Sequence, residues 1–168
     1  MFRDNCCNMQ GINLHAIMCR KPEAVAEIMG SDEYPDIMGV VRFYQLKIGV
    51  MVITEVTGLP GCVDACMCPV FGFHIHSGGD CSGNREDAFA DAMGHYNPDN
   101  CAHPYHAGDM PPLFGNCGYA FSAFLSSRFC VDEIVGRTVI LHLHPDDFHT
   151  QPAGDSGMKI ACGVICRT

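Results

Sequence analysis

Six histidines and one aspartate recur in short motifs between residues 74 and 142 of this chain. They are His74, His76, His95, His103, His106, Asp109 and His142. Imidazole and carboxylate groups are good ligands for zinc, copper and other borderline cations. Seven such groups suffice for two metal ions if one imidazole is shared between them. The sequence therefore predicts a dinuclear metal site.

Three of these histidines are predicted to lie on strands. His74 and His76 are two residues apart in a Gly-Phe-His-Ile-His stretch, and on a strand such side chains point to the same face. His142 ends a second apolar run and can supply a third ligand. Strands hold ligand geometry more rigidly than loops, so we expect one metal ion at this platform.

The other ligands are predicted to lie in a loop. His103, His106 and Asp109 fall within seven residues and suit a tetrahedral site, while His95 lies between the two groups in sequence and could serve both. The remaining histidines are expected to be ordinary core or surface residues: His15, His144 and His149.

Length and charge limit the classes of protein to consider. A chain of 168 residues is expected to form one domain with a proper core. Its formal charge of -9 argues against nucleic-acid partners, because no basic stripe is present to neutralise phosphates. The same charge argues against an anionic membrane surface. We expect no nucleic-acid and no membrane partner.

The cellular compartment is predicted from the N-terminus and the cysteines. Residues 1–7 are polar and lack the apolar region of a secretion signal, so we expect a cytoplasmic protein. Twelve cysteines would indicate disulfides in a secreted protein but thiols or metal ligands in a reducing cytosol. Cys62, Cys66 and Cys68 cluster, and Cys6 and Cys7 are adjacent. These are interpreted as free thiols or adventitious soft-metal sites.

Seven stretches rich in β-branched, aromatic or alternating apolar residues predict strands. They cover residues 24–29, 39–45, 49–56, 70–76, 119–124, 137–142 and 159–165. Residues 87–93 are predicted to hold a short helical turn. The pattern predicts an all-β fold, a Greek-key β-sandwich or barrel of the immunoglobulin-like kind, with two long functional loops at 77–116 and 145–158. A loosely ordered leader at 1–21 is expected to precede a β-barrel domain at 22–168.

The chain resembles the copper/zinc superoxide dismutase family. The resemblance lies in motifs that follow the family's order over residues 22–165: Gly72–His76, Gly94–Pro98, His103 with His106–Asp109, Gly136–His142, Asp146–Asp147 and Ile160–Ile165. It implies copper and zinc as cofactors, superoxide as the small-molecule substrate, and disproportionation of superoxide to oxygen and hydrogen peroxide.

The resemblance also implies a role for each site residue. Copper would be bound by His74, His76, His95 and His142, and zinc by His95, His103, His106 and Asp109, with His95 as the bridging imidazolate. Asp146 would link the copper ligand His74 to the zinc ligand His103. Cys81 and Cys162 would form a disulfide. His95 would give a proton during turnover, and Lys159 would attract and position the anion.

Three departures from the family pattern stand out. Lys159 occupies the position of the family's arginine near copper, which keeps the charge but loses the planar fork of donors. Residues 82–94 form a longer segment than expected between Cys81 and His95. Residues 95–106 and 146–159 look short, which predicts a more open copper site. Because the first loop contributes to the dimer in eukaryotic relatives, a homodimer is left open here.

Two alternatives to a dismutase are kept. The protein could bind or store copper and zinc without turnover, since 12 cysteines and 10 methionines favour soft Cu(I). It could also be a structural homologue whose metals only stabilise the fold. With a net charge of -9, attraction of superoxide is expected to come from a local positive focus near copper.

Overall fold

The computed structural model describes residues 11, 13–61 and 69–168, and within them nine β-strands form the framework. The strands are β1 Ala24–Gly30, β2 Met38–Leu46, β3 Gly49–Thr57, β4 Val70–Phe71, β5 Phe73–His76, β6 Leu113–Phe114, β7 Ala120–Ser126, β8 Thr138–His142 and β9 Lys159–Arg167. The helices are short: α1 Leu14–Met18, α2 Val131–Ile134 and a 3-10 turn at Ala90–Ala92. Among the described residues, no helix is both long enough and apolar enough to cross a bilayer.

Seven of these strands form one sheet in the order β5-β8-β9-β1-β2-β3-β7, and every neighbouring pair is antiparallel. The sheet curls around a single large apolar core to which strands from both of its edges contribute. Strand β1 shows the alternation that permits this, because Ala24, Ala26 and Ile28 are buried while Glu27 and Met29 are exposed. The predicted all-β class with two long loops is confirmed.

The strand predicted at 70–76 is divided in two at Gly72. Strand β4 pairs with β6 in a separate two-stranded sheet, whereas β5 pairs with β8 in the large sheet. The Gly72 amide donates to the His144 carbonyl, and the Gly72 carbonyl accepts from the His142 amide, both at 2.8 Å. A Cβ at this position would lie 2.9 Å from the Ser156 side chain. Glycine therefore lets β5 and the loop after β8 approach each other closely.

The N-terminal segment differs from the expected loose leader at residues 14–18. Helix α1 is capped by the Asn13 side chain and buries Ile17 against Tyr44, Met51 and Ile53. These three side chains lie on β2 and β3 outside the main core, so α1 shields a second apolar surface of the sheet. The sequence showed no clear helical period here because only one turn of the helix makes this contact.

Candidate metal centre

The first group of predicted ligands is built on the paired strands β5 and β8. His74 and His76 extend from β5, His142 ends β8, and His95 joins them through a bridge between its backbone and that of His76. The structure brings the four imidazoles together, with their candidate ligand nitrogens all within 4.8 Å of one another. His74, His76 and His142 are at most 4% exposed. Because His74 and His76 point to the same face of β5, as expected, one short strand supplies two of the four imidazoles.

Backbone carbonyls orient two of these rings. His76 Nδ1 lies 2.8 Å from the Met93 carbonyl, and His142 Nδ1 lies 3.1 Å from the Gly157 carbonyl. A carbonyl only accepts hydrogen bonds, so each Nδ1 carries the proton and each Nε2 presents a lone pair. The two Nε2 atoms are 3.2 Å apart. Two buried lone pairs at that distance repel unless a cation is shared between them, and the donor set therefore fits a metal ion.

Burial keeps these imidazoles neutral. It lowers the pKa of His74 to about 4 against the opposing effect of its hydrogen bond to Asp146. Burial, helped by the neighbouring His74, lowers the pKa of His142 to about 3, and it lowers the pKa of His76 well below the usual range. Neutral imidazole is the metal-binding form. The site is therefore ready to bind a cation at neutral pH.

The second group lies in the loop after β5. The candidate ligand atoms of His95, His103, His106 and Asp109 also lie within 4.8 Å of one another. The Asp109 carboxylate is 2.7 Å from His95 Nδ1, 3.1 Å from His103 Nδ1 and 3.3 Å from His106 Nδ1. Burial would raise the pKa of Asp109, but the hydrogen bond with His95 and the nearby imidazoles lower it overall. Three imidazole nitrogens and one carboxylate match a tetrahedral zinc site.

His95 is the one residue common to both groups. Its Nδ1 faces Asp109, while its Nε2 is buried without a hydrogen-bond partner among the described residues. His74 Nδ1 likewise makes no hydrogen bond, and neither do His103 Nδ1 and His106 Nδ1, although the Asp109 carboxylate lies 3.1 and 3.3 Å from these two atoms. Buried unpaired nitrogens are costly, and four of them aimed into two adjacent clusters fit two metal ions.

Asp146 joins the two groups from the outside. Its Oδ2 lies 2.9 Å from His74 Nε2, its Oδ1 lies 2.9 Å from His103 Nε2, and the Phe148 amide donates to Oδ1 at 2.7 Å. Burial would raise the pKa of Asp146, but hydrogen bonds from His74, Phe148 and His103 outweigh it and lower the pKa strongly. A carboxylate here fixes both rings with their Nδ1 atoms turned toward the clusters. The structure thus places Asp146 where the resemblance implied.

Two residues that the sequence did not single out hold the loop of the second group. Arg128 Nη1 donates to the carbonyls of Pro104, His106 and Asp109 at 2.9, 3.2 and 3.3 Å. The Gln151 side chain forms two hydrogen bonds with the backbone of His103, accepting at 2.9 Å and donating at 2.7 Å. The sequence gives no pattern that would identify either residue, because both bond backbone atoms of residues that are far away along the chain.

The predicted disulfide between Cys81 and Cys162 is present and confirmed. It ties the start of the first long loop to β9. Outside it, the described cysteines are free thiols: Cys19, Cys101, Cys117, Cys130 and Cys166. The cysteines singled out as candidate soft-metal sites, Cys6, Cys7, Cys62, Cys66 and Cys68, lie outside the described residues. His15, His144 and His149 are exposed and belong to neither group.

A cavity of about 590 Å³ opens onto the first group. His76, His95 and His142 line it, together with Lys159. The Lys159 ammonium lies 2.7 Å from Asp87 Oδ2 and 2.9 Å from the Phe89 carbonyl oxygen, and its side chain is 13% exposed. Lys159 is therefore beside the cavity as expected, but its charge is paired with a carboxylate. Asp87 lies in the long segment that the sequence predicts, but no local pattern marks the residue itself.

The chain resembles known proteins over most of its length. A family model described as copper/zinc superoxide dismutase (SODC) matches residues 37–165. The superoxide dismutase [Cu-Zn] of Legionella pneumophila is 32% identical over 163 residues, which cover 92% of this chain and 94% of that protein. Superoxide dismutase [Cu-Zn] A of Xenopus laevis is 30% identical over 158 residues, covering 85% and 96%.

The fold is also that of a solved structure. The Cu/Zn superoxide dismutase from Brucella abortus superposes with a TM-score of 0.70 at 23% sequence identity. The match covers 84% of this chain and 99% of the Brucella chain. At that identity the likeness establishes the β-barrel architecture, and the sequence matches carry the assignment to a family.

Proposed function

Because this chain belongs to the copper/zinc superoxide dismutase family, we propose that its two histidine groups hold copper and zinc for the disproportionation of superoxide to oxygen and hydrogen peroxide. The observation that carries the proposal is the ring of His95, which offers one nitrogen to each group. Because one imidazole is shared between the two cation sites, the two sites form one dinuclear centre.

The donor sets favour a different metal at each group. Four imidazoles, from His74, His76, His95 and His142, would hold copper, which when bound supplies one-electron redox chemistry. His95, His103, His106 and Asp109 would hold zinc, which has no redox chemistry and keeps a tetrahedral geometry. Zinc would act as a structural ion that polarises the far nitrogen of His95.

His95 is the residue proposed to move a proton. Peroxide formation consumes protons, and His95 lines the cavity through which superoxide would enter, with its Nε2 buried and free of hydrogen bonds among the described residues. Its Nδ1 lies 2.7 Å from Asp109 within the second group, so the ring is held from that side while Nε2 gains or loses a proton. The proton is therefore held at a defined atom next to the substrate.

The surrounding residues hold the other rings in position. Asp146 fixes His74 and His103, and backbone carbonyls fix His76 and His142, so every ring presents its other nitrogen to a cation. Lys159 would attract and position the anion from the cavity wall. Its present pairing with Asp87 limits how much free charge it offers.

The storage alternative has less support. A Cu(I) store needs several thiols grouped together. The groups of potential ligands found among the described residues consist of histidines and one aspartate, and the described free thiols are not part of them. The cytoplasmic location and the homodimer stay predictions.

The proposal is tested by superoxide decay in stopped flow, with protein reconstituted with copper and zinc and the rate normalised to bound copper. We expect tight binding of one copper and one zinc per chain and a copper-normalised rate well above that of free copper. Free copper and the metal-free protein are the controls. A normalised rate no higher than that of free copper would contradict turnover, and uptake of several Cu(I) per chain would instead support storage.

A further inference from the structure

Two departures from the family pattern meet at one ion pair. Measured against the pattern that the resemblance implies, Lys159 replaces an arginine and residues 82–94 form a longer segment. Both groups that accept hydrogen bonds from the Lys159 ammonium, the Asp87 carboxylate at 2.7 Å and the Phe89 carbonyl at 2.9 Å, belong to that longer segment. The lysine and the longer segment therefore form one structural unit.

We propose that Asp87 is a positioning residue that holds the Lys159 ammonium in the wall of the metal cavity and masks its charge from an incoming anion. This inference rests on the proposed function, because the anion is the substrate of that site. Asp87 touches neither metal ligands nor substrate in this arrangement and acts through Lys159.

The Asp87 carboxylate is itself held in place. Its Oδ1 accepts a hydrogen bond from the Phe89 amide at 3.0 Å, which leaves Oδ2 directed at Lys159. The Asp87 backbone is bonded in turn to Asn84, whose amide donates to the Asp87 carbonyl at 2.9 Å. The segment starts at the Cys81–Cys162 disulfide, and Lys159 lies three residues before Cys162 on β9. Both partners are thus anchored to the same strand.

The charges at the cavity show what the pairing does. Among the described residues that line the cavity, Lys159 carries the permanent positive charge, and Glu86 and Asp87 carry negative charges. One positive and two negative charges leave the cavity wall formally negative. A cation paired at 2.7 Å with a carboxylate acts on a distant anion as a dipole, and its field falls off faster than that of a free charge. Among the described lining side chains, the positive charge expected from the sequence is therefore paired, and bound metal ions would be the other source of positive charge.

The test compares Asp87→Asn with matched charge variants. Asparagine keeps an oxygen for the Phe89 amide and removes the charge that faces Lys159. In the enzyme loaded with copper and zinc, we expect the second-order rate at low ionic strength to rise about three- to tenfold and to fall more steeply with added salt. We also expect azide, an anionic probe followed by its absorbance change, to bind more tightly by a similar factor.

Two controls separate release of Lys159 from a simple change of charge. Glu86→Gln removes a charge from the same cavity wall without any contact with Lys159, and Asp36→Asn makes the same change of net charge away from the cavity. Glu86→Gln should have a smaller effect than Asp87→Asn, and Asp36→Asn should have none. In a Lys159→Met background, the effect of Asp87→Asn should shrink to that of Glu86→Gln. Equal effects in both backgrounds would overturn the proposal.

A second readout needs no metal. In the metal-free protein, a proton–nitrogen NMR correlation of lysine ammonium groups should show a protected Lys159 signal that Asp87→Asn weakens, because only the Phe89 carbonyl then accepts from the ammonium. An unprotected signal in the wild type would overturn the pairing.

Asp87→Ser, which keeps a hydroxyl oxygen near the Phe89 amide, replaces Asp87→Asn if that variant does not fold. A wild type without turnover would contradict the proposed function. An active wild type whose rate is unchanged by Asp87→Asn would contradict only this inference.

Discussion

His76 and His142 face each other across two strands with their Nε2 atoms 3.2 Å apart, and each ring is held from behind by a backbone carbonyl. This arrangement directs both lone pairs into one buried space. Neither ring can turn away from that space unless its Nδ1 hydrogen bond breaks. The pair is thus organised for a cation before any cation binds. Preorganisation of this kind lowers the ordering cost of binding.

Replacing His142 by alanine should remove copper binding and leave zinc in place. The substitution deletes one of the four imidazoles of the first group and none of the second. We expect a copper-to-zinc ratio near zero by elemental analysis and loss of turnover in stopped flow. His144→Ala, at an exposed position two residues along the chain, is the control and should keep both. Copper-dependent activity in His142→Ala would argue against the ligand assignment.

Asp146→Asn should weaken both sites together. Asparagine offers one acceptor oxygen in place of two, so His74 and His103 cannot both keep their 2.9 Å hydrogen bonds. Loss of such hydrogen bonds lowers metal affinity by about 10- to 100-fold. Competition with a chelator measures the affinity for each metal. The neighbouring Asp147→Asn is the control, because among the described residues the Asp147 side chain accepts hydrogen bonds from His149 and Thr150 alone. A loss confined to one metal would contradict the bridging role.

Arg128→Ala should lower zinc affinity while leaving the strands unchanged. The guanidinium bonds three carbonyls of the loop that carries His103, His106 and Asp109, and their loss frees that loop. We expect roughly a tenfold weaker zinc affinity, by analogy with other groups that support metal ligands from outside. Arg85→Ala, another exposed arginine, makes the same charge change and should have no effect. Equal zinc affinity in the two variants would show that Arg128 has no bracing role.

The metal-free protein should lose stability as the pH falls below neutral. The pKa of His74 in the folded state is about 4, below its ordinary value of 6.5. The unfolded chain therefore binds more protons between these values, and the free energy of unfolding rises with pH across that window. His74 alone corresponds to roughly 3 kcal/mol over the whole window. His142 adds to this effect, because burial lowers its pKa to about 3.

Urea unfolding of the chelator-treated protein at several pH values measures this dependence. We expect the urea concentration at the unfolding midpoint to fall steadily as the pH is lowered from about 6.5 to about 4. Loading with both metals should reduce the effect at the upper end of the window, because bound cations compete with protons for the same nitrogens. A midpoint independent of pH in the metal-free protein would contradict neutral burial of these imidazoles.

Much of the framework could be predicted because it depends on local patterns. Alternating apolar residues mark β1, and the spacing of His74 and His76 places both on one face of a strand. The division of the strand at Gly72 was not predicted, since it depends on β4 pairing with a two-residue strand in a distant loop. Helix α1 was missed for a similar reason, because it is stabilised by Tyr44 and its neighbours rather than by its own sequence.

The sequence by itself determined which residues could bind metal and on which strands the first of them lie, because residue type and spacing carry that information. Only the tertiary structure decided which nitrogen of each ring is free, through Asp146 and the carbonyls of Met93 and Gly157. It also decided that Lys159 is paired with Asp87, 72 residues away. Such contacts follow from strand register and loop path. No local pattern encodes them, since they form only when distant segments are brought together by the packed core.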